Sequence, residues 1–311
     1  MATIDVTPPT PAPAVGAGIL DALPRRVALT LPELQLAGRA AGDAPLPFDL
    51  TSAAGADPLE GRLGVSRGSN ADSAYAAALV GLHDPADTLQ RRGLLDGGDL
   101  DPGLAGALGL LATPRVAIDL DVSVQGLRAH AWHREADGAV ATLSTVDGVV
   151  FELTWFPSAA WAAELGRVAV LPDTVRLRGT VLPDLVDLPF EVLDTAGEAV
   201  RSGRSDLIPV LAAQHSGAVF ADDGTPVRDV ELAAMLSAVV LDSRGRLRAL
   251  GADVSGEHTS VVGVVAWTLL ADGWRSLRPH RDGDRHRVEV RRVEPGDLPG
   301  DLAFVLAEVT R

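Results

Sequence analysis

Ser66 lies in GVSRG, residues 64–68, and matches the Gly-x-Ser-x-Gly turn that presents a nucleophile in serine hydrolases. That chemistry needs a buried strand to deliver the Ser and a helix to follow at once. EGRL precedes this copy within a loop-like stretch, so the match reads as chance and a hydrolase using Ser66 stands as the rival to a binding protein. Asp96, Asp99 and Asp101 in DGGDLDPG resemble a calcium loop, but the alternating ligand spacing and the Glu at its twelfth position are missing. Helix capping is the better reading of those acids. His130 and His133 are three apart in a strand-like run, where odd spacing sends side chains to opposite faces, so they cannot share a metal. No spacing of the other His, and no acid pair, marks a catalytic couple, and no cofactor or metal is expected.

The elements that would position these residues follow from composition and period. The chain of 311 residues is 47% hydrophobic, has no Cys, and carries a net charge of −15. It also has no Lys, so all 27 basic side chains are Arg, which removes Schiff-base chemistry and the phosphate-loop lysine. The negative charge repels nucleic acid and anionic membranes, and no apolar run reaches the length of a membrane span. The Pro- and Ala-rich residues 1–23 have neither the basic start nor the apolar stretch of a secretory signal and read as a disordered tail. A soluble, cytoplasmic protein without membrane insertion is expected, monomeric or weakly self-associating.

Thr30 and Glu33 have capping-box spacing at the start of a helix. Helices are also expected over AYAAALVGL, capped by Asn70 or Asp72, over DTLQRRGLL, and after Asp101-Pro102. Val116, Ile118, Leu120 and Val122 then alternate with polar residues as a half-buried strand. Asp137-Gly138 joins strands 127–135 and 139–145 as a hairpin, and Val149, Phe151, Leu153 and Trp155 form the next apolar face. Two helix-like segments, at about 186–201 and 205–214, precede the Val230–Val239 helix. VVGVVAWTLL, 261–270, is apolar on both faces, as in a covered central strand.

AWHREADG at 131–138 and AWTLLADG at 266–273 agree at five of eight positions, 135 residues apart, including one of only 5 Trp. Both strings are flanked by helix-like and then strand-like runs, which predicts an internal duplication. The expected fold is α/β (α+β): a pseudo-two-fold central antiparallel sheet from two similar halves, 24–172 and 173–311, flanked by helices. Trp132 should then fall on Trp267, and the Asp137-Gly138 turn on Asp272-Gly273.

On strand 127–134, Arg128, His130, Trp132 and Arg134 share one face, a mixture enriched where proteins grip partners. Asp119 and Asp121 on the neighbouring strand would form a polar rim. The short Val122–Gly126 turn adds Ser123, Val124 and Gln125 to the candidate partner-binding set.

VALTLPELQLAGRAAG (27–42) and LQRRGLLDGGDLDPGLAGALGLLATPRVAIDLDV (89–122), followed by a hairpin and strands, resemble the EspG family of ESX (type VII) secretion-associated proteins. The similarity extends over about residues 26–310. It implies a pseudo-two-fold α/β fold and a cytosolic chaperone that binds the hydrophobic tip of a secreted PE–PPE-like protein. A non-chaperone structural or regulatory partner of an ESX component is the other reading within that setting. In mycobacterial members the hairpin after the VxIDL-type strand carries a long substrate-contacting loop, whereas here only VSVQG separates the strands.

Overall fold

Among the described residues eleven strands form a single sheet. A computed structural model describes residues 24–48, 83–215, 217–221, 225–256 and 259–309. The expected tail, the helix over AYAAALVGL and Ser66 lie outside these residues.

In chain order, β1 (Arg25–Thr30) runs into α1 (Leu31–Ala40). The capping box holds as read: Thr30 Oγ1 accepts from the Glu33 amide, and the Glu33 carboxylate accepts from the Thr30 amide. After α2 (Pro85–Arg91), the two-residue strands β2 (Leu95–Asp96) and β3 (Asp99–Leu100) make a small hairpin of their own. Asp101 Oδ1 accepts from the Leu104 amide and so caps α3 (Pro102–Ala112). Then come β4 (Val116–Val124), β5 (Leu127–Ala136), β6 (Ala139–Thr145), β7 (Val150–Pro157) and α4 (Trp161–Val168).

The later part contains β8 (Leu185–Pro189), α5 (Phe190–Arg201), α6 (Ile208–Gln214), β9 (Phe220–Ala221) and α7 (Asp229–Leu241). It closes with β10 (Gly245–Asp253), β11 (Ser260–Leu270), β12 (Gly273–Asp282), β13 (Arg285–Arg292) and α8 (Leu298–Val309). The segment read as helix from about 186 is therefore a strand first and a helix only from Phe190. Val186 and Leu188 alternate into the core, and that two-residue period is too short to override the helical run behind it.

The sheet order is β1-β7-β6-β5-β4-β10-β11-β12-β13-β8-β9, and every pairing is antiparallel. Outward from the β4–β10 seam, strands of the first half thus occupy one side and strands of the second half the other. Gly245 is required at this seam: a Cβ there would lie 2.3 Å from the Ser123 carbonyl oxygen, so no other residue lets β10 approach β4.

Cross-strand pairing fixes which residues share a face. One face carries the central core: Ile118, Leu120 and Val122 of β4, Leu247 of β10 and Trp267 of β11, covered by α4 and α8. The opposite face has two separate cores. Leu29, Leu104, Leu143, Phe151 and Leu153 pack beneath α1 and α3 at one end, and Val186, Val288, Val290, Leu232 and Leu236 pack with α5, α6 and α7 at the other. Among the described residues, the two helical layers leave the middle of that face open. Among the described residues no helix is long and apolar enough to cross a membrane.

The repeated strings do not superpose as expected. Ala136 pairs with Ala139, so the first hairpin turns on Asp137-Gly138, both at positive φ (52° and 80°). Leu270 pairs with Gly273, so the second turns on Ala271-Asp272. The turns are 134 residues apart, one fewer than the strings, and a one-residue slip reverses every side chain in a strand. Counted from the turns, Trp267 stands where His133 does, and Trp132 lies on the other face.

Candidate functional site

The open middle of the sheet is built by four strands. On it β5 places Arg128, His130, Trp132 and Arg134, and β4 places Asp119, Asp121 and Ser123 beside them: Asp119 faces Trp132 and Asp121 faces His130. The alternation read from the sequence thus positions these side chains, and His133 leaves for the opposite core.

Their accessibility differs from the expectation. Trp132 is half-buried, its ring 5.1 Å from Phe48 and 6.0 Å from His130. Arg134 is buried and bonded to Asp119 Oδ1 at 2.6 Å, with the His133 carbonyl as a second acceptor at 3.0 Å. It braces β5 against β4 and is not a free cation. Arg128 is exposed, and His130 Nδ1 stands 3.7 Å from Asp121 Oδ2. Asp121 Oδ1 is shielded from solvent and has no hydrogen-bond donor among the described residues. A carboxylate oxygen left so is costly unless something else supplies a proton.

Two further candidates need correction. Val124 is buried on the opposite face, in the central core, because it alternates with Ser123. The turn is also shorter than Val122–Gly126: β4 runs to Val124, and only Gln125 (φ 50°) and Gly126 (φ 88°) connect it to β5. Gln125 is exposed at the tip.

Sequence reasoning missed the other half of this surface. Arg246 and Arg248 of β10 pair with Ser123 and Asp121, and both are exposed. Beyond them Leu250, Val261 and Val264 are 38%, 59% and 62% exposed. Val261 and Val264 of VVGVVAWTLL are thus uncovered on this face, where no helix among the described residues spans the gap, whereas Leu270 at the end of the strand packs into the core beneath α5, α6 and α7. The all-apolar pattern could not show this, although the alternation of Arg246 and Arg248 with Leu247 and Ala249 marked one face of β10 as solvent-facing.

The surface therefore combines an aromatic anchor, an alternating ladder of Asp and Arg, and an apolar strip. Among the described residues no group of three or more His, Asp or Glu could hold a metal ion. The fold defines an α+β protein built on one long antiparallel sheet, with helices on both faces. The chain belongs to the EspG family, whose model matches residues 30–308. No curated protein matches it by sequence. Among solved structures it is similar to that of the Mycobacterium tuberculosis type VII secretion system chaperone EspG5 in complex with a PE25–PPE41 dimer. That match has a TM-score of 0.56 at 9% identity, covering 91% of this chain and 96% of the other.

Proposed function

We propose that this protein is a non-catalytic cytoplasmic chaperone of a type VII secretion system and that it captures a secreted PE–PPE-like dimer. The family match over residues 30–308 carries this reading, and the fold shared with a chaperone solved on such a dimer supports it. We assign capture to the open sheet face, with Trp132 as anchor, Arg128, His130, Asp121, Ser123 and Gln125 around it, and Asp119 and Arg134 bracing the strands. With a two-residue β4–β5 connection, contact is made by strand faces instead of a long loop. A Trp beside Arg stems can cover an apolar tip while keeping the free protein in solution. The net charge of −15 keeps free copies apart.

The halves 24–172 and 173–311 are read as diverged copies on the mirrored strand order about the β4–β10 seam. The test of function is co-expression with a PE–PPE-type dimer from the same secretion locus, followed by copurification. A soluble complex that is lost with Arg128→Glu supports the assignment. Aggregation of the dimer with no complex refutes it. Activity lost on Ser66→Ala would instead favour the hydrolase.

A further inference from the structure

On the α4 side of the sheet a cavity of about 460 Å³ lies between α4, β5, β6, β7 and β1, and His130 of the candidate surface also lines it. Its lining includes the small apolar Ala28, Ala129 and Ala131, and its hydroxyls come from Thr142, Ser144 and Thr145. His133, 2% exposed, lines it. Trp161 Nε1 donates to His133 Nδ1 at 3.1 Å, so the neutral ring carries its proton on Nε2. No acceptor among the described residues takes that proton.

The charged groups at the rim are satisfied among themselves. Arg26 bonds Glu164 at 2.6 Å and Glu152 at 3.1 Å, and Arg167 bonds Glu164 at 2.9 Å. Asp147 accepts from the Val149 and Val150 amides. Both guanidinium groups are engaged and the carboxylates outnumber them, so no free cation is left for an anionic ligand. An anion would lose its hydration without finding a counter-ion.

We infer that this cavity binds a small uncharged ligand whose apolar body covers the alanines and whose carbonyl oxygen accepts the His133 Nε2 proton. Burial and the neighbouring Arg134 push the His133 pKa down to about 3, so the donor stays neutral between pH 5 and pH 8.

The test uses N-acetyl-valine methylamide as probe and the Trp161 indole N–H resonance as reporter, assigned with Trp161→Phe. Saturable movement of that resonance at millimolar probe, the affinity expected of a fragment this size, supports the site. N-acetyl-valine, its carboxylate analogue, should bind at least about tenfold more weakly. Ala129→Leu fills the cavity at a half-buried position and should abolish the shift while keeping the melting temperature. An unmoved indole, equal binding of the carboxylate, or undiminished binding to Ala129→Leu would each overturn the inference.

Discussion

Acid should weaken this fold through a single imidazole, and the size of the effect follows from the structure. His133 is buried in the central core, where burial and Arg134 hold its pKa near about 3. In the unfolded chain the same ring titrates near about 6.5. Between those values the unfolded state takes up a proton that the folded state refuses, so this contribution is absent above about pH 6.5 and grows as pH falls toward about 3. Each pH unit in that window removes about 1.4 kcal/mol, so at pH 4.5 the loss is roughly 3 kcal/mol, a large part of a domain's stability. Carboxylates titrate in the same range, so the comparison is with His133→Gln, which keeps an acceptor for Trp161 Nε1 and has nothing to protonate. Urea unfolding followed by tryptophan fluorescence at pH 7, 5.5 and 4.5 gives both stabilities. The wild type should lose roughly 3 kcal/mol more than the variant between the first and last pH. Parallel losses would show that the ring is protonated in place or reached by water, and the reasoning would be refuted.

Trp132→Ala should weaken capture of the PE–PPE-type partner at least about tenfold, read by titration calorimetry. Because its indole packs on Phe48 and stands opposite Leu143, the same change should also cost about 2 kcal/mol of stability by urea unfolding, less than for a fully buried Trp. Arg128→Ala, at an exposed position, separates the two effects, lowering affinity with a stability change within about 0.5 kcal/mol. Gly245→Ala should cost at least about 2 kcal/mol or prevent soluble expression, since its Cβ meets backbone and not a movable side chain. Arg92→Ala should make the protein associate with rising concentration in light scattering, because Arg92 Nη2 caps the Ala28 carbonyl at 2.7 Å on β1, an end strand of the sheet.

Helix starts and hairpin strands were legible because their causes are local. The Thr30–Glu33 box, the Asp101 cap and the Asp137-Gly138 turn need only neighbours in sequence, and each forms as read. The face of β5 was legible for the same reason, since alternation depends on one strand alone. What surrounds that face was not. Whether Arg134 is free depends on Asp119, fifteen residues away, and whether Val264 is covered depends on where two helical layers stop. Pairing partners and gaps between layers are properties of the assembled sheet, and no single segment encodes them.

The repeated tryptophans show why similarity in sequence and equivalence in space can part by one residue. Each string ends in a two-residue turn, but the first turn uses Asp137-Gly138 at positive φ and the second uses Ala271-Asp272, leaving Gly273 to begin the next strand. Glycine thus serves in the turn of one copy and in the strand of the other, and the hairpins shift by one position. In a structure of period two that shift exchanges faces. Trp267 goes into the central core and donates to Asp301 of α8 at 2.8 Å. His133, at the same distance from its own turn, accepts from Trp161 of α4, so both strands are tied to a helix by an indole hydrogen bond, with donor and acceptor exchanged. Trp132, freed from that duty, stands on the open face beside Arg128 and His130. The slip thus places an aromatic on the open face in one hairpin while the other keeps an apolar strip there, so two similar hairpins present different chemistry on one face.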